Sequence, residues 1–200
     1  MVKNNGELHL APNGRPSKLY ADALEIGKQL KEPNPEKFAA TIKAITLSEE
    51  FKDWFKDSKV IDENGEPLIV WHRSGSEFDT FDLSKSEKDT PSIGYHFGTR
   101  EASEGVETLT DKSYLYPVFL NLKNPLECTD REASFPNELF NSDKLNFSQN
   151  TISTFKSFDS DYEKQERSDY IGKILRNLGY DGLTYINTIE DPGSRSFVVF

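Results

Sequence analysis

The stretch Lys59–Thr99, KVIDENGEPLIVWHRSGSEFDTFDLSKSEKDTPSIGYHFGT, decides how the rest of the chain is read. Its turn signal, Asp62-Glu63-Asn64-Gly65, lies between two apolar runs, Val60-Ile61 and Leu68-Ile69-Val70-Trp71, which is the pattern of a β-hairpin. His72 follows at once. Gly75 then opens a loop that leads to Phe78, Phe81 and Leu83, and a Ser/Lys/Asp-rich segment precedes GYHFGT at Gly94–Thr99. Two of the chain's 3 histidines, His72 and His96, therefore stand at or near the ends of short apolar strands beside glycines. At such places side chains and backbone can face a ligand together.

Working outward, residues 1–16 are polar with PNG and RP turn signals, an extended lead-in. Ser17 is placed to cap a helix carrying Leu19, Ala23, Ile26 and Leu30, which stops at Pro33-Asn34-Pro35. A second helix is predicted over about Glu36–Ala44, with Phe38, Ile42 and Ile45 on one side. Thr46 and Glu49 then have capping-box spacing, and Phe51, Trp54 and Phe55 form a stripe whose reading is core packing.

On the C-terminal side a short helix is predicted from Thr99 to Val106. Tyr116, Val118, Leu120 and Leu122 alternate as in a strand that Pro125 stops. Residues 127–160 are rich in Asn, Ser, Asp and Phe without steady periodicity and read as a long loop or insertion. A helix over Ser168–Leu178 is capped by Gly179. GLTYINTI, a type II turn at Asp191-Pro192-Gly193-Ser194, and SFVVF complete the chain as a terminal hairpin. Short strands interrupted by helices, without regular βα alternation, indicate an α+β fold on a mostly antiparallel sheet. The expected division is a lead-in over 1–45 and one domain over 46–200.

With 200 residues the chain has room for one real core. A net charge of −10 and a pI near 4.9 argue against a nucleic-acid ligand held by phosphate neutralisation. Lys and Arg are interspersed among the acids, the pattern of a soluble surface rather than of a DNA mimic. Cys128 is the single cysteine, so neither an intrachain disulfide nor a cysteine zinc site is available, which fits a reducing compartment. No metal site is expected. The first residues lack the apolar core of a signal peptide and no run is long enough to span a bilayer, so the expectation is a cytoplasmic protein without a membrane partner. Delivery into a host or target cell stays open.

VWHRSG, GYHFGT and GYDGLTYINTIEDPGSRSFVVF resemble, in that order, the strand motifs of the ADP-ribosyltransferase superfamily. The resemblance is to the domains of phage-associated polyvalent proteins and related bacterial toxins, and it extends back through EEFKDWFKDSKVIDENGEPLIVWH and APNGRPSKL. It implies a split antiparallel β-sheet core with flanking helices, and NAD as the substrate whose nicotinamide–ribose bond is broken. A protein or other macromolecule would accept the ADP-ribose. By the same resemblance His72 takes the place of a histidine that bonds a ribose hydroxyl. His96, between Tyr95 and Phe97, takes that of an aromatic residue at the nicotinamide, and Glu190 is the best placed late acid. Ser74 and Gly75 extend the first motif, and Arg73 and Arg100 are candidates for the diphosphate, since a guanidinium matches phosphate geometry.

Those residue types suit the reaction. Glycosidic cleavage builds positive charge on the ribose ring, which a carboxylate stabilises in the transition state. Flat rings hold a pyridinium face by cation–π attraction. The chain also departs from the family pattern. Arg73 stands where a glycine is common, His96 replaces a tyrosine, and Ser196 occupies the slot of the usual catalytic glutamate. The acid has then moved to Glu190 or Asp191, or the site is weakened. The alternatives are an inactive binding or inhibitor module with the same fold, and an NAD glycohydrolase that uses water as acceptor.

Overall fold

The computed structural model describes residues 35–78, 80–82, 92–106, 113–158 and 164–200. The helix expected after Ser17 lies outside them. Two helices come first, α1 (Pro35–Leu47) and α2 (Glu49–Phe55). Helix α1 runs three residues past the predicted Ala44, carrying Ile45 into the core at 1% exposure. The predicted capping box is therefore displaced. Thr46 lies inside α1 with its hydroxyl on the Lys43 carbonyl, and Ser48 caps α2 by accepting from Phe51 N at 3.2 Å. The Phe51, Trp54 and Phe55 stripe packs as expected, with Phe51 edge-on to Phe119.

The Asp62–Gly65 turn forms. Its carboxylate accepts from the N–H groups of Asn64 and Glu66, Gly65 takes φ +82°, and Leu68 N bonds Val60 O at 3.0 Å. The second arm becomes β1 (Val70–Ser74), which pairs antiparallel with β3 (Tyr114–Val118). A separate sheet has the order β2 (Tyr95–Phe97), β6 (Arg195–Val199), β5 (Gly182–Ile186), β4 (Pro125–Glu127). All its pairings are antiparallel except β4 with β5. The fold is α+β with a split sheet. Pro125 opens edge strand β4 instead of ending a strand, a position where its missing N–H costs nothing. Strand β3 stops at Val118, and Phe119, Leu120 and Leu122 beyond it are all buried.

The two sheets meet at one backbone bridge. Trp71 N donates to Gly98 O at 2.8 Å and Gly98 N to Trp71 O at 3.0 Å. Between the sheets lies the first core, with Val70, Tyr116 and Val118 facing Phe97, Phe197 and Val199. The second core covers the other face of the larger sheet, and it corrects the prediction for 127–160. That segment folds as α4 (Asp130–Ser134), α5 (Pro136–Phe140) and α6 (Gln149–Ser157). Ala133, Leu139, Phe140, Leu145 and Phe155 pack with Leu183, Tyr185 and Val198 and with α7 (Lys164–Asn177). Five-residue helices are too short to display a period of 3.6, so the pattern reads as irregular. Helix α7 ends in a Schellman arrangement, with Gly179 at φ +89° and Tyr180 N on Leu175 O. The Asp191–Ser194 turn closes with Ser194 N on Asp191 O and Gly193 at φ +96°, as a type II turn requires.

Gly94 enters β2 where a Cβ would lie 2.0 Å from the backbone oxygen of Val199. Backbone on a paired strand cannot yield, so Gly94→Ala is expected to destabilise the fold by on the order of 3 kcal/mol or more. Urea unfolding of the two proteins checks this, and an unchanged midpoint would show that β2 does not pair as described.

Candidate functional site

The short helix α3 (Arg100–Gly105) organises the region where the predicted residues lie. Thr99 caps it by accepting from Ala102 N, and the same hydroxyl donates to Asp191 Oδ2 at 2.5 Å. Ser103 donates to the Trp71 carbonyl at 2.8 Å, so that oxygen has both lone pairs engaged. Arg73 donates from one guanidinium nitrogen to the Glu104 carbonyl and from Nε to Ser113 Oγ at 2.8 Å. A Cβ on Gly105 would touch Glu190 Cβ at 3.0 Å. One helix thus ties β1, the end of β2 and the β5–β6 turn into a single neighbourhood.

His72 stands on the inner face of β1 within a box of rings. Phe81, Tyr95 and Phe97 lie with centroids at 5.3, 5.4 and 5.5 Å, and Phe78 and Tyr116 complete the box. Its Nδ1 is 2.8 Å from the carbonyl oxygen of His96, and a carbonyl only accepts, so the proton is on Nδ1 and Nε2 keeps a lone pair. Burial lowers the His72 pKa to about 4. The hydrogen bond to residue 96 opposes that shift and the His96 ring adds to it. Phe97 is core at 2% exposure, and Tyr95 anchors its hydroxyl on Asp82 O at 2.8 Å.

The side chain of His96 leaves β2 on the opposite face. Its Nδ1 is 3.3 Å from the Tyr185 hydroxyl, and Ser196, paired with Tyr185 in the register, is hydrogen-bonded to that hydroxyl as well. Burial lowers the His96 pKa to about 4, opposed by the negative charge of Asp130. The buried Asp130 carboxylate accepts from Thr188 N at 2.8 Å and Thr188 Oγ1 at 2.6 Å, which pins the β5–β6 turn to α4. Asn187 organises that turn from within. Its Oδ1 accepts from the N–H groups of Ile189, Glu190 and Asp191, and its Nδ2 donates to Glu190 Oε2 at 2.9 Å.

The structure thus brings His96 into the same cluster as Ser196 and Tyr185, the phenol of which feels the Glu190 charge, and puts His72 with Tyr95 and Phe97 across β2. Arg73 and Arg100 lie with α3, and neither guanidinium is free. Arg100 pairs with Glu104 at 2.8 Å and lies over the Trp71 ring, so a diphosphate would have to displace these partners. Ser74 accepts from Ser76 N and Gly75 opens the loop beyond it. Of the two late acids, Asp191 is engaged by Thr99, whereas Glu190 is exposed and, among the described residues, its carboxylate is held by Asn187. Tyr185 and Asp130 were not reached from the sequence. GLTYINTI reads as a plain strand, and Asp130 lay in the supposed insertion, although Thr129 and Glu132 have capping-box spacing beside it. Cys128 is buried, with its thiol pushed up to about 12, and takes no part.

A family model described as ADP-ribosyltransferase in polyvalent proteins matches residues 62–200. The chain belongs to that family. The match spans both sheets and every candidate residue from His72 to Glu190. No curated protein and no solved structure matches the chain. The domain is thus of the ADP-ribosyltransferase type, and among the described residues no cluster suited to a metal ion is present and no helix is long and apolar enough to cross a membrane.

Both imidazoles are neutral in the fold and ordinary in the unfolded chain, so acid favours unfolding. Their folded pKa values, about 4 against an ordinary 6.5, leave stability intact above pH 6.5 and remove it as pH falls from there toward 4. The expected slope in that window is up to about 1.4 kcal/mol per pH unit for each ring. Urea titrations across the range measure it, with His96→Gln expected to reduce the slope by about half; a stability that rises on acidification would contradict the burial of both rings.

Proposed function

We propose that the protein is an NAD-dependent ADP-ribosyltransferase that cleaves the nicotinamide–ribose bond and passes ADP-ribose to a macromolecular acceptor, as a phage or toxin-type effector. The observation that carries this reading is the family match, which runs without a break across the whole split sheet. The chemistry of the residues is in keeping with it. His72 keeps a lone pair on Nε2 that suits a ribose hydroxyl, and Tyr95 flanks it with an aromatic face. His96 holds the second motif position but leaves β2 on the face opposite His72, so the two rings do not face one cleft, and Glu190 is a late carboxylate that is both exposed and oriented by a neighbour. A carboxylate there would stabilise positive charge as it develops on the ribose ring. The domain proposed to do this is 46–200, with 1–45 as a lead-in.

A second reading has its own support. Ser196 occupies the motif position of the usual glutamate and is buried against Tyr185, so no acid stands at that position. On that reading the chain is a binding or inhibitor module that retains the fold without turnover.

Incubation of the protein with labelled NAD and cell lysate separates the readings. The transferase releases nicotinamide and labels a lysate component, and His72→Ala and Glu190→Ala each lower both signals roughly 100-fold or more. Release without labelling identifies a glycohydrolase. No release with any lysate ends the enzymatic reading and leaves the inactive module.

A further inference from the structure

Tyr185 has no role in the proposed reaction, yet its surroundings are specific. It is 5% exposed on the face of β5 toward the helical layer, opposite Ser196 on β6. Packing alone would be met by phenylalanine. The hydroxyl is the part that needs explaining, because a buried one requires partners. It has two, the Ser196 side chain and Nδ1 of His96 at 3.3 Å.

The direction of these bonds follows from the proton inventory. Burial first, then the charge of Asp130, holds the Tyr185 pKa well above its ordinary value, so the phenol carries its single proton at neutral pH. Between phenol and imidazole the direction follows from acid and base strength, since a phenol O–H is a stronger acid than a neutral imidazole N–H and the bare imidazole nitrogen a stronger acceptor than a phenolic oxygen. At 3.3 Å the tyrosine proton therefore goes to Nδ1 of His96, and the Ser196 hydroxyl, which can donate as well as accept, is left to donate to the phenolic oxygen. That nitrogen accepts only if the neutral ring carries its own proton on Nε2. Among the described residues Nε2 has no protein partner, and His96 is only partly buried.

We propose that Tyr185 is a positioning residue whose hydroxyl, held between Ser196 and His96, commits the His96 imidazole to the tautomer with its proton on Nε2. The site then presents a hydrogen-bond donor, and the group that meets it must bring an acceptor lone pair, as the oxygen of a ribose hydroxyl or a carboxamide does. Only the identity of that group rests on the transferase reading. His72 has the complementary state, because its Nδ1–H is occupied by the carbonyl of residue 96 and its Nε2 accepts. One residue of β2 thereby fixes an acceptor imidazole on one face through its backbone and carries a donor imidazole on the other.

Two-bond proton–nitrogen NMR correlations on uniformly 15N-labelled protein at pH 7.5 read each ring directly, with His9→Gln and His72→Gln assigning the other two histidines. His96 is expected as the Nε2–H tautomer. Tyr185→Phe, which preserves the ring packing, is expected to move it to a mixture or to Nδ1–H, and Ser196→Ala to move it part of the way. His72 should stay Nδ1–H in both variants, which separates a local change from a disturbed fold. A wild-type His96 protonated on Nδ1, or a tautomer unmoved by Tyr185→Phe, would overturn the proposal. In the NAD assay Tyr185→Phe is expected to lower kcat for nicotinamide release about tenfold, with KM within about twofold; an unchanged kcat alongside a shifted tautomer would remove the positioning role. If the protein releases no nicotinamide at all, the transferase reading falls while the spectra still decide the tautomer.

Discussion

Everything in this fold that concerns a site depends on the pair of backbone hydrogen bonds between Trp71 and Gly98. They are the bridge by which the two-stranded and four-stranded sheets touch edge to edge, and they set which residues of β1 and β2 are neighbours. With Trp71 opposite Gly98, the next side chain of β1 reaches back over β2, and His72 lands on the carbonyl of His96. Helix α3 then locks the seam from above by putting the Ser103 hydroxyl on the same Trp71 oxygen. A Cβ at residue 98 would come 2.9 Å from Ser196 Oγ and 3.1 Å from Ala102 Cβ, so a larger residue here would have to displace those side chains.

The electrostatic character of the region follows from that geometry. Two imidazoles are withdrawn from water on either side of a single strand, and desolvation outweighs the hydrogen bond that favours the charged form of one and the carboxylate that favours the charged form of the other. Both rings are therefore neutral hydrogen-bonding groups and bring no positive charge to the region. The guanidinium groups of Arg73 and Arg100 are turned to the protein itself through Glu104 and Ser113. The acidic β5–β6 turn is held from three directions, by Asn187 from within, by Asp130 from α4 and by Thr99 from α3. The clamp fixes the backbone at Glu190, and the exposed carboxylate itself is bonded by Asn187 Nδ2.

Much of this was legible locally. The Asp62–Gly65 and Asp191–Ser194 turns, the Gly179 cap and the aromatic stripe of α2 formed as read, because each depends on backbone preferences or helical spacing within a few residues. The misreadings share one cause. Residues 127–160 build half of the second core from helices too short to show their period, and Pro125 begins a strand because only the sheet order tells that β4 is an edge. Thr46 yields its cap to Ser48 because the helix that carries Ile45 into the core continues to Leu47, three residues past the predicted end.

The order of the motifs, through their resemblance to the family, pointed from the chain alone to the family type and the split sheet, and the short strands interrupted by helices indicated an α+β fold. Alternation along the strand even places Tyr95 and Phe97 opposite His96. It says nothing of which face looks toward β1, since that is a relation between strands paired far apart in the chain. Only the tertiary structure therefore decided that the two histidines lie on opposite sides of β2, that the arginines are engaged by α3, and that Tyr185 and Asp130 stand behind His96. Those arrangements arise from the burial of two cores on the two faces of one sheet, a cooperative constraint that no local stretch of residues contains.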